Sequence, residues 1–271
     1  MHAGLEGRVA VVTGASQGIG EAIAQRLAQE GCKLVLVSRR REKLSEVAAG
    51  LSGKYASQAL TVVCDVTVPQ DIQAAVDQAI ERFGRIDILV NNAGGFASGG
   101  PTPFDDLTDD HFIQSYELNV MSAVRFSRAV LPSMRRQSWG RIISLSSETA
   151  VQPDPVGADY SAAKAALSVF SKILSRSEGM HGILVNVVAP AFALSPLVET
   201  MVRGYGEQAG LDFEAAQASM LKMVRPNISV GRASSPKEVA AAVTFLASEE
   251  SSYVNGSVLR VDGGSVGSIG G

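Results

Sequence analysis

Cysteine is nearly absent from this sequence, with only Cys32 and Cys64 among 271 residues, which excludes a disulfide-stapled scaffold. Each lies in or beside a run rich in Val, Ile and Leu, where a small thiol reads as an inert core residue. Charged residues are scarce as well, at 19%, and 24 basic against 27 acidic side chains leave a net charge of -3. No basic run exceeds Arg39-Arg40-Arg41, so the patch needed to neutralise a nucleic-acid backbone is missing and no nucleic-acid partner is expected. No apolar run reaches the roughly 20 residues that cross a bilayer, and Met1 to Arg8 holds no apolar signal core. A cytoplasmic protein without a membrane partner is expected, and the Asn-x-Ser triplets at Asn227 and Asn255 then carry no glycosylation meaning. Hydrophobic residues make up 46% and glycine follows no period, which removes disorder and collagen.

What is present is alternation. Short Val/Ile/Leu-rich runs at 8–13, 33–38, 61–65, 86–91, 141–146, 183–188 and 257–261 read as buried strands. Helical periodicity fills 18–30, 41–51, 69–83, 109–136, 160–178 and 236–248 between them. The fold class expected is α/β: a single-domain Rossmann-type doubly wound parallel sheet of about seven strands, with helices on both faces and ligands at the carboxyl ends of the strands. The domain spans 1–271, and its one long interruption, about 191–231, is read as a helical substrate lid.

After the first strand the chain reads Thr13-Gly14-Ala15-Ser16-Gln17-Gly18-Ile19-Gly20 and enters a helix. Glycines allow a sharp turn and close approach to a pyrophosphate, whose charge meets free N–H groups at the helix start. The same glycines also serve a plain tight turn. Gly14-Ala15-Ser16-Gln17-Gly18 matches the Gly-x-Ser-x-Gly elbow of serine hydrolases too, but only His111 and His181 follow it, both at helix boundaries. At the end of the second strand, where an acidic residue commonly holds the ribose of NAD, stand Ser38, Arg39 and Arg40. Guanidinium groups suit a 2′-phosphate, so NADP(H) is expected over NAD(H).

Tyr160 and Lys164 lie four positions apart at a helix start, which stacks them on one face. A neighbouring ammonium favours phenolate, making the pair a candidate general acid/base. The preceding strand ends Ser144-Leu145-Ser146-Ser147 and brings a hydroxyl to the same end of the sheet.

With these motifs in this order, together with Asn91-Asn92-Ala93-Gly94 and Asn119, the sequence resembles the short-chain dehydrogenase/reductase family over essentially its whole length. It looks most like the subgroup of 3-oxoacyl-(acyl carrier protein) reductases and relatives acting on other ketones. The resemblance implies that Ser147 binds the substrate oxygen, Tyr160 protonates it, Lys164 holds the nicotinamide ribose and Asn119 supports a proton relay. It implies cofactor contacts from Gly14, Ser16, Gln17, Gly18, Ile19, Gly20, Ser38, Arg39, Arg40, Asp65, Val66, Asn92, Ala93, Gly94, Tyr160, Lys164, Pro190 and Ser195, and a homotetramer. Ser146, a strand neighbour of opposite facing, is the weaker serine candidate. One departure is Pro190-Ala191, where the family commonly has Pro-Gly, with Ser195 near a position commonly Thr. Glu148 and the loop 95–100 receive no role, and no metal ligands are assigned.

The function expected is an enzyme: an NADP(H)-dependent oxidoreductase moving a hydride between nicotinamide and a small-molecule ketone or secondary alcohol. An isomerase or dehydratase, or a non-catalytic nucleotide-binding protein, on the same fold is the alternative.

Overall fold

In the computed structural model, which describes residues 3–55 and 57–269, β1 (Val9–Thr13) is buried along its whole length. Val9 and Val11 enter one hydrophobic core and Ala10 and Val12 the other, the period-two alternation of a strand covered on both faces. The chain continues through α1 (Gly18–Gln29), β2 (Lys33–Ser38), α2 (Arg41–Tyr55), β3 (Ala59–Val63), α3 (Pro69–Phe83) and β4 (Ile88–Asn91). There follow α4 (Asp109–Tyr116), α5 (Ser122–Arg136), β5 (Gly140–Leu145), α6 (Ala158–Glu178) and β6 (Ile183–Pro190). The last elements are α7 (Pro196–Ala209), α8 (Phe213–Val224), α9 (Pro236–Ala247) and β7 (Val258–Val261).

The strands form one seven-stranded parallel sheet in the order β3-β2-β1-β4-β5-β6-β7. Strand order reverses between β1 and β4, which opens a crevice at their carboxyl ends, as the doubly wound expectation requires. One core holds Ile23 and Leu27 of α1, Leu44 of α2 and Val243 of α9; the other holds Ile72 of α3 and Phe126, Val130 and Met134 of α5. Phe126 is fully enclosed, and truncating such a side chain to Ala costs about 3–5 kcal/mol.

Several boundaries differ from the sequence expectation, and three of them have a local cause. The helix expected over 109–136 is divided by a π turn, Glu117–Met121. There Asn119 Nδ2 donates to the Ser115 carbonyl at 2.9 Å and Ser122 Oγ to that of Leu118 at 2.6 Å, side-chain bonds that compete with the regular helical ladder. The third strand ends at Val63 rather than 65, because the Asp65 carboxylate turns to accept from the Thr67 backbone N–H at 2.9 Å and hydroxyl at 2.7 Å. The sixth strand runs to Pro190 because β7 pairs alongside it as far as Val261.

The long interruption after β6 consists of α7 and α8 with a small core of Val202, Ala216 and Met220. Its two ends are tied together. Leu194 N donates to Ser234 O at 2.9 Å and Ser234 N to Phe192 O at 3.0 Å, around a parallel bridge between Ala193 and Ser234.

Candidate active site

The carboxyl ends of the strands, α4, α7 and α8 line one cavity of about 1620 Å³. This exceeds the roughly 300–1,000 Å³ of a single-ligand pocket. At its base the Thr13 hydroxyl accepts from the Asn92 and Ala93 N–H groups at 3.0 and 2.9 Å, and Asn92 Nδ2 donates to the Thr13 carbonyl at 2.8 Å. These bonds clamp the glycine turn to β4. Gly14 and Gly18 take left-handed φ values of +66° and +59°, which any other residue adopts only under strain. Gln17 gives α1 no side-chain cap, so the leading turn, Gly18-Ile19-Gly20, meets the cavity with its N–H groups and its positive dipole end.

At the β2 end, Ser38 Oγ donates to Ser16 Oγ at 2.9 Å and Arg40 Nη2 to the same oxygen at 3.1 Å. Arg39 is 77% exposed and lies 3.8 Å from Asp65, so Arg40 is the guanidinium drawn in over the glycine turn. The hydrogen bonds from Thr67 hold the Asp65 carboxyl below its ordinary value. Asp65 and Val66 line the same wall.

Beyond β5, Ser147 Oγ accepts from Thr149 N at 3.2 Å and from the Thr149 hydroxyl at 3.0 Å. With its acceptor sites used in this way, the Ser147 hydroxyl keeps its proton to donate, and it turns that proton to the Tyr160 phenol oxygen. Ser146 faces the other way, donating to the Lys164 carbonyl of α6 at 2.9 Å. Tyr160 stands in the first turn of α6 with its ring 4.4 Å from that of Phe96. Burial pushes the Tyr160 phenol up to about 12, against the opposing pull of a hydrogen bond with Ser147. One turn on, burial pulls the Lys164 ammonium down to about 8. Its Nζ donates to the Leu145 carbonyl at 2.7 Å and lies 5.5 Å from the Tyr160 ring centroid. The sequence expectation had the lysine lowering the tyrosine; here desolvation moves the phenol upward, and the opposing pull comes from Ser147 rather than from the lysine.

Asn119 is 1% exposed and holds the β4 loop through both its amide atoms, accepting from Gly95 N at 3.0 Å and donating to Gly95 O at 2.9 Å. A Cβ on Gly94 would fall 2.6 Å from Asn119 Oδ1 and 3.0 Å from Lys164 Nζ, so glycine is required there by close approach. Ser195 lines the cavity but caps α7, accepting from Val198 N at 3.4 Å; Pro190 lies at the end of β6 in the same wall. Every expected site residue thus lines the cavity except Asn119, which sits directly behind it. Asn91, part of the same motif, turns away toward Ser127 of α5.

Sequence reasoning did not find Asp154. It pairs in two-pronged fashion with Arg225, from Nη1 at 2.8 Å and Nη2 at 2.6 Å, while Arg225 Nε donates to Glu148. A lone carboxylate in a loop leaves no periodic signal; the only pointer was its place shortly after Ser147.

The family model described as short chain dehydrogenase matches residues 8–205. The short-chain reductase protein NovJ of Streptomyces niveus is 38% identical over 257 residues, which cover 94% of this chain and 93% of that protein. The 3-oxoacyl-(acyl-carrier-protein) reductase FabG of Salmonella typhimurium is 36% identical over 266 residues, covering 96% of this chain and 97% of that protein. Among solved structures, L-sorbose reductase from Gluconobacter frateurii, complexed with NADPH and L-sorbose, has a TM-score of 0.94 at 37% identity, covering 99% of this chain and 100% of that one.

Proposed function

This chain belongs to the short chain dehydrogenase family, and on that premise we propose that it is an NADP(H)-dependent oxidoreductase interconverting a ketone and a secondary alcohol, with Tyr160 as general acid/base. The observation that carries the reading is the convergence of Ser147, Tyr160, Lys164 and the uncapped glycine turn on one cavity. The donor set fits the phosphorylated dinucleotide: N–H groups at the start of α1 suit its pyrophosphate, and Arg40 with the Ser16 and Ser38 hydroxyls suits a 2′-phosphate. The L-sorbose reductase relative was solved with NADPH, which agrees with that donor set.

When bound, the nicotinamide supplies or accepts the hydride. The protein's own part is positioning and proton handling. Ser147 turns its proton from the Tyr160 phenol to the substrate oxygen, and Tyr160, protonated at neutral pH because burial holds it near 12, gives up a proton to that oxygen during reduction. Lys164, anchored on the Leu145 carbonyl, holds the ribose and presents positive charge beneath the phenol. Asn119 fixes the Gly95 loop and keeps the floor of the site in place.

The α7–α8 pair acts as a lid over the substrate within a single domain, its Met201, Met220 and Met223 side chains supplying an adaptable apolar roof. The same reading carries a cytoplasmic homotetramer, in line with the exposed Val169 and Ile173 on α6 and Ile113 and Tyr116 on α4. Among the described residues no helix is long and apolar enough to cross a membrane. The deciding experiment is NADPH oxidation with ketones by wild type and Tyr160→Phe. Loss of turnover by about 10²–10⁴-fold with NADPH affinity retained is expected for removal of a general acid, and full activity in the variant refutes the role.

A further inference from the structure

The substrate end of the cavity carries an ion triad that the proton chemistry does not use. Glu148, next to Ser147, is 2% exposed; its Oε1 accepts from Arg225 Nε, whereas its Oε2 is buried without a hydrogen-bond partner. Arg225, at the end of α8, is already saturated. Four of its five N–H groups go to Glu148, to both oxygens of Asp154 and to the Val224 carbonyl, so little is left for a substrate anion. Burial works against its charge, but the bonds to Asp154 and Glu148 outweigh this and hold Arg225 above its ordinary value.

Two carboxylates against one guanidinium leave this floor net negative. The other cations lining the cavity belong to its cofactor end in the proposed reading: Arg39 beside Asp65, Arg40 on Ser16, and Lys164 anchored on the Leu145 carbonyl. A ketone bearing a carboxylate or phosphate meets repulsion here and finds no counter-ion. A buried carboxylate oxygen lacking a partner is costly, and a neutral donor relieves it.

We infer that Glu148 Oε2 accepts a hydrogen bond from a substrate hydroxyl, so that the enzyme selects neutral hydroxy-ketones over keto acids and over ketones without a hydroxyl. Arg225 and Asp154 act as positioning residues, fixing the Glu148 carboxylate and tying the end of α8 to the floor. The inference rests on the reductase reading of the same cavity.

The test uses three ketones sharing one butyl chain: butyl methyl ketone, its hydroxymethyl analogue and the corresponding α-keto acid, each with NADPH. For wild type the hydroxymethyl ketone is expected to exceed the methyl ketone in kcat/KM by about tenfold or more, chiefly through KM, and to exceed the keto acid by a larger factor. Glu148→Leu is expected to bring the hydroxymethyl and methyl ketones within about threefold of each other, while Glu148→Gln, which keeps an acceptor oxygen, retains part of the preference. Arg225→Met is expected to erode the preference while Arg225→Lys restores part of it. NADPH titration of each variant reports that it is folded.

Equal rates on the two uncharged ketones, a preference for the keto acid, or a preference that survives Glu148→Leu overturns the inference and leaves the reductase reading standing. Reduction of none of the three by a protein that binds NADPH overturns it as well. Failure of wild type to bind NADPH overturns both.

Discussion

The two ends of the sheet both gather polar and charged residues, and they use them in opposite ways. At the amino ends of the strands, Asp87 is completely buried and accepts from Val9 N at 2.9 Å, from Arg8 at 3.2 Å and from Arg85 Nε at 3.0 Å. Beside it Arg8 and Arg141 stack on the Trp139 ring at 3.7 and 4.4 Å, and the Trp139 indole donates to Glu249 at 2.9 Å. These groups answer one another. At the carboxyl ends, Ser147, Tyr160 and the start of α1 aim donors into open space. A polar cluster closed on itself holds the fold; one left open toward a cavity awaits a ligand.

Substitutions at the two ends separate these uses, from the largest effect to the smallest. Asp87→Ala strips the partner from Arg8, Arg85 and the Val9 N–H together and is expected to cost about 3 kcal/mol in urea unfolding. The NADPH affinity of the protein that remains folded is expected to stay within about twofold, and a large loss of binding at unchanged stability breaks the contrast. Arg40→Ser at the other end is expected to do the reverse, weakening NADPH by about tenfold to a hundredfold and NADH by little, with no change in the unfolding midpoint. Equal losses for the two nucleotides remove Arg40 from the phosphate site.

The last and smallest effect is read with pH. Lys164 carries its charge below about 8, so kcat/KM for reduction is expected to fall as pH rises through that value, while Tyr160 stays protonated to about 12. Stability through this group runs the other way. Its folded value lies below the ordinary 10.5, so burial of the charged form opposes folding below about 8, and this opposition is relieved as pH rises from there toward 10.5. A flat activity profile from neutral pH to above 9 denies Lys164 its role.

The sheet was legible because each buried strand is a short apolar run bounded by turn residues, and the order of the reacting motifs followed from it. Boundaries were less so wherever a side chain takes over a backbone bond: the Asn119 amide divides the long helix, and the Asp65 carboxylate ends β3 early. Ser147 was preferred to Ser146 on the family resemblance, with strand alternation setting the two on opposite facings, and the structure does turn them opposite ways. The upward shift of Tyr160 was not legible, since spacing reports the neighbouring lysine but says nothing of how dry the site is. The Arg225 triad escaped for a similar reason, being assembled from positions 148, 154 and 225 that only the fold of α8 over the floor brings together.

The pairing of Phe192 and Leu194 with Ser234 has a consequence for how this molecule tolerates change. The excursion departs and returns at this seam, and Arg225 ties the end of α8 to Glu148 and Asp154, so its contour length is decoupled from the scaffold between the seam and that tie. Residues added or deleted between the two sides of that seam alter loop-closure entropy only logarithmically, and neither β6 nor α9 has to move. The segment is an exchangeable cassette: a different roof can be written there while the proton-handling floor is inherited intact.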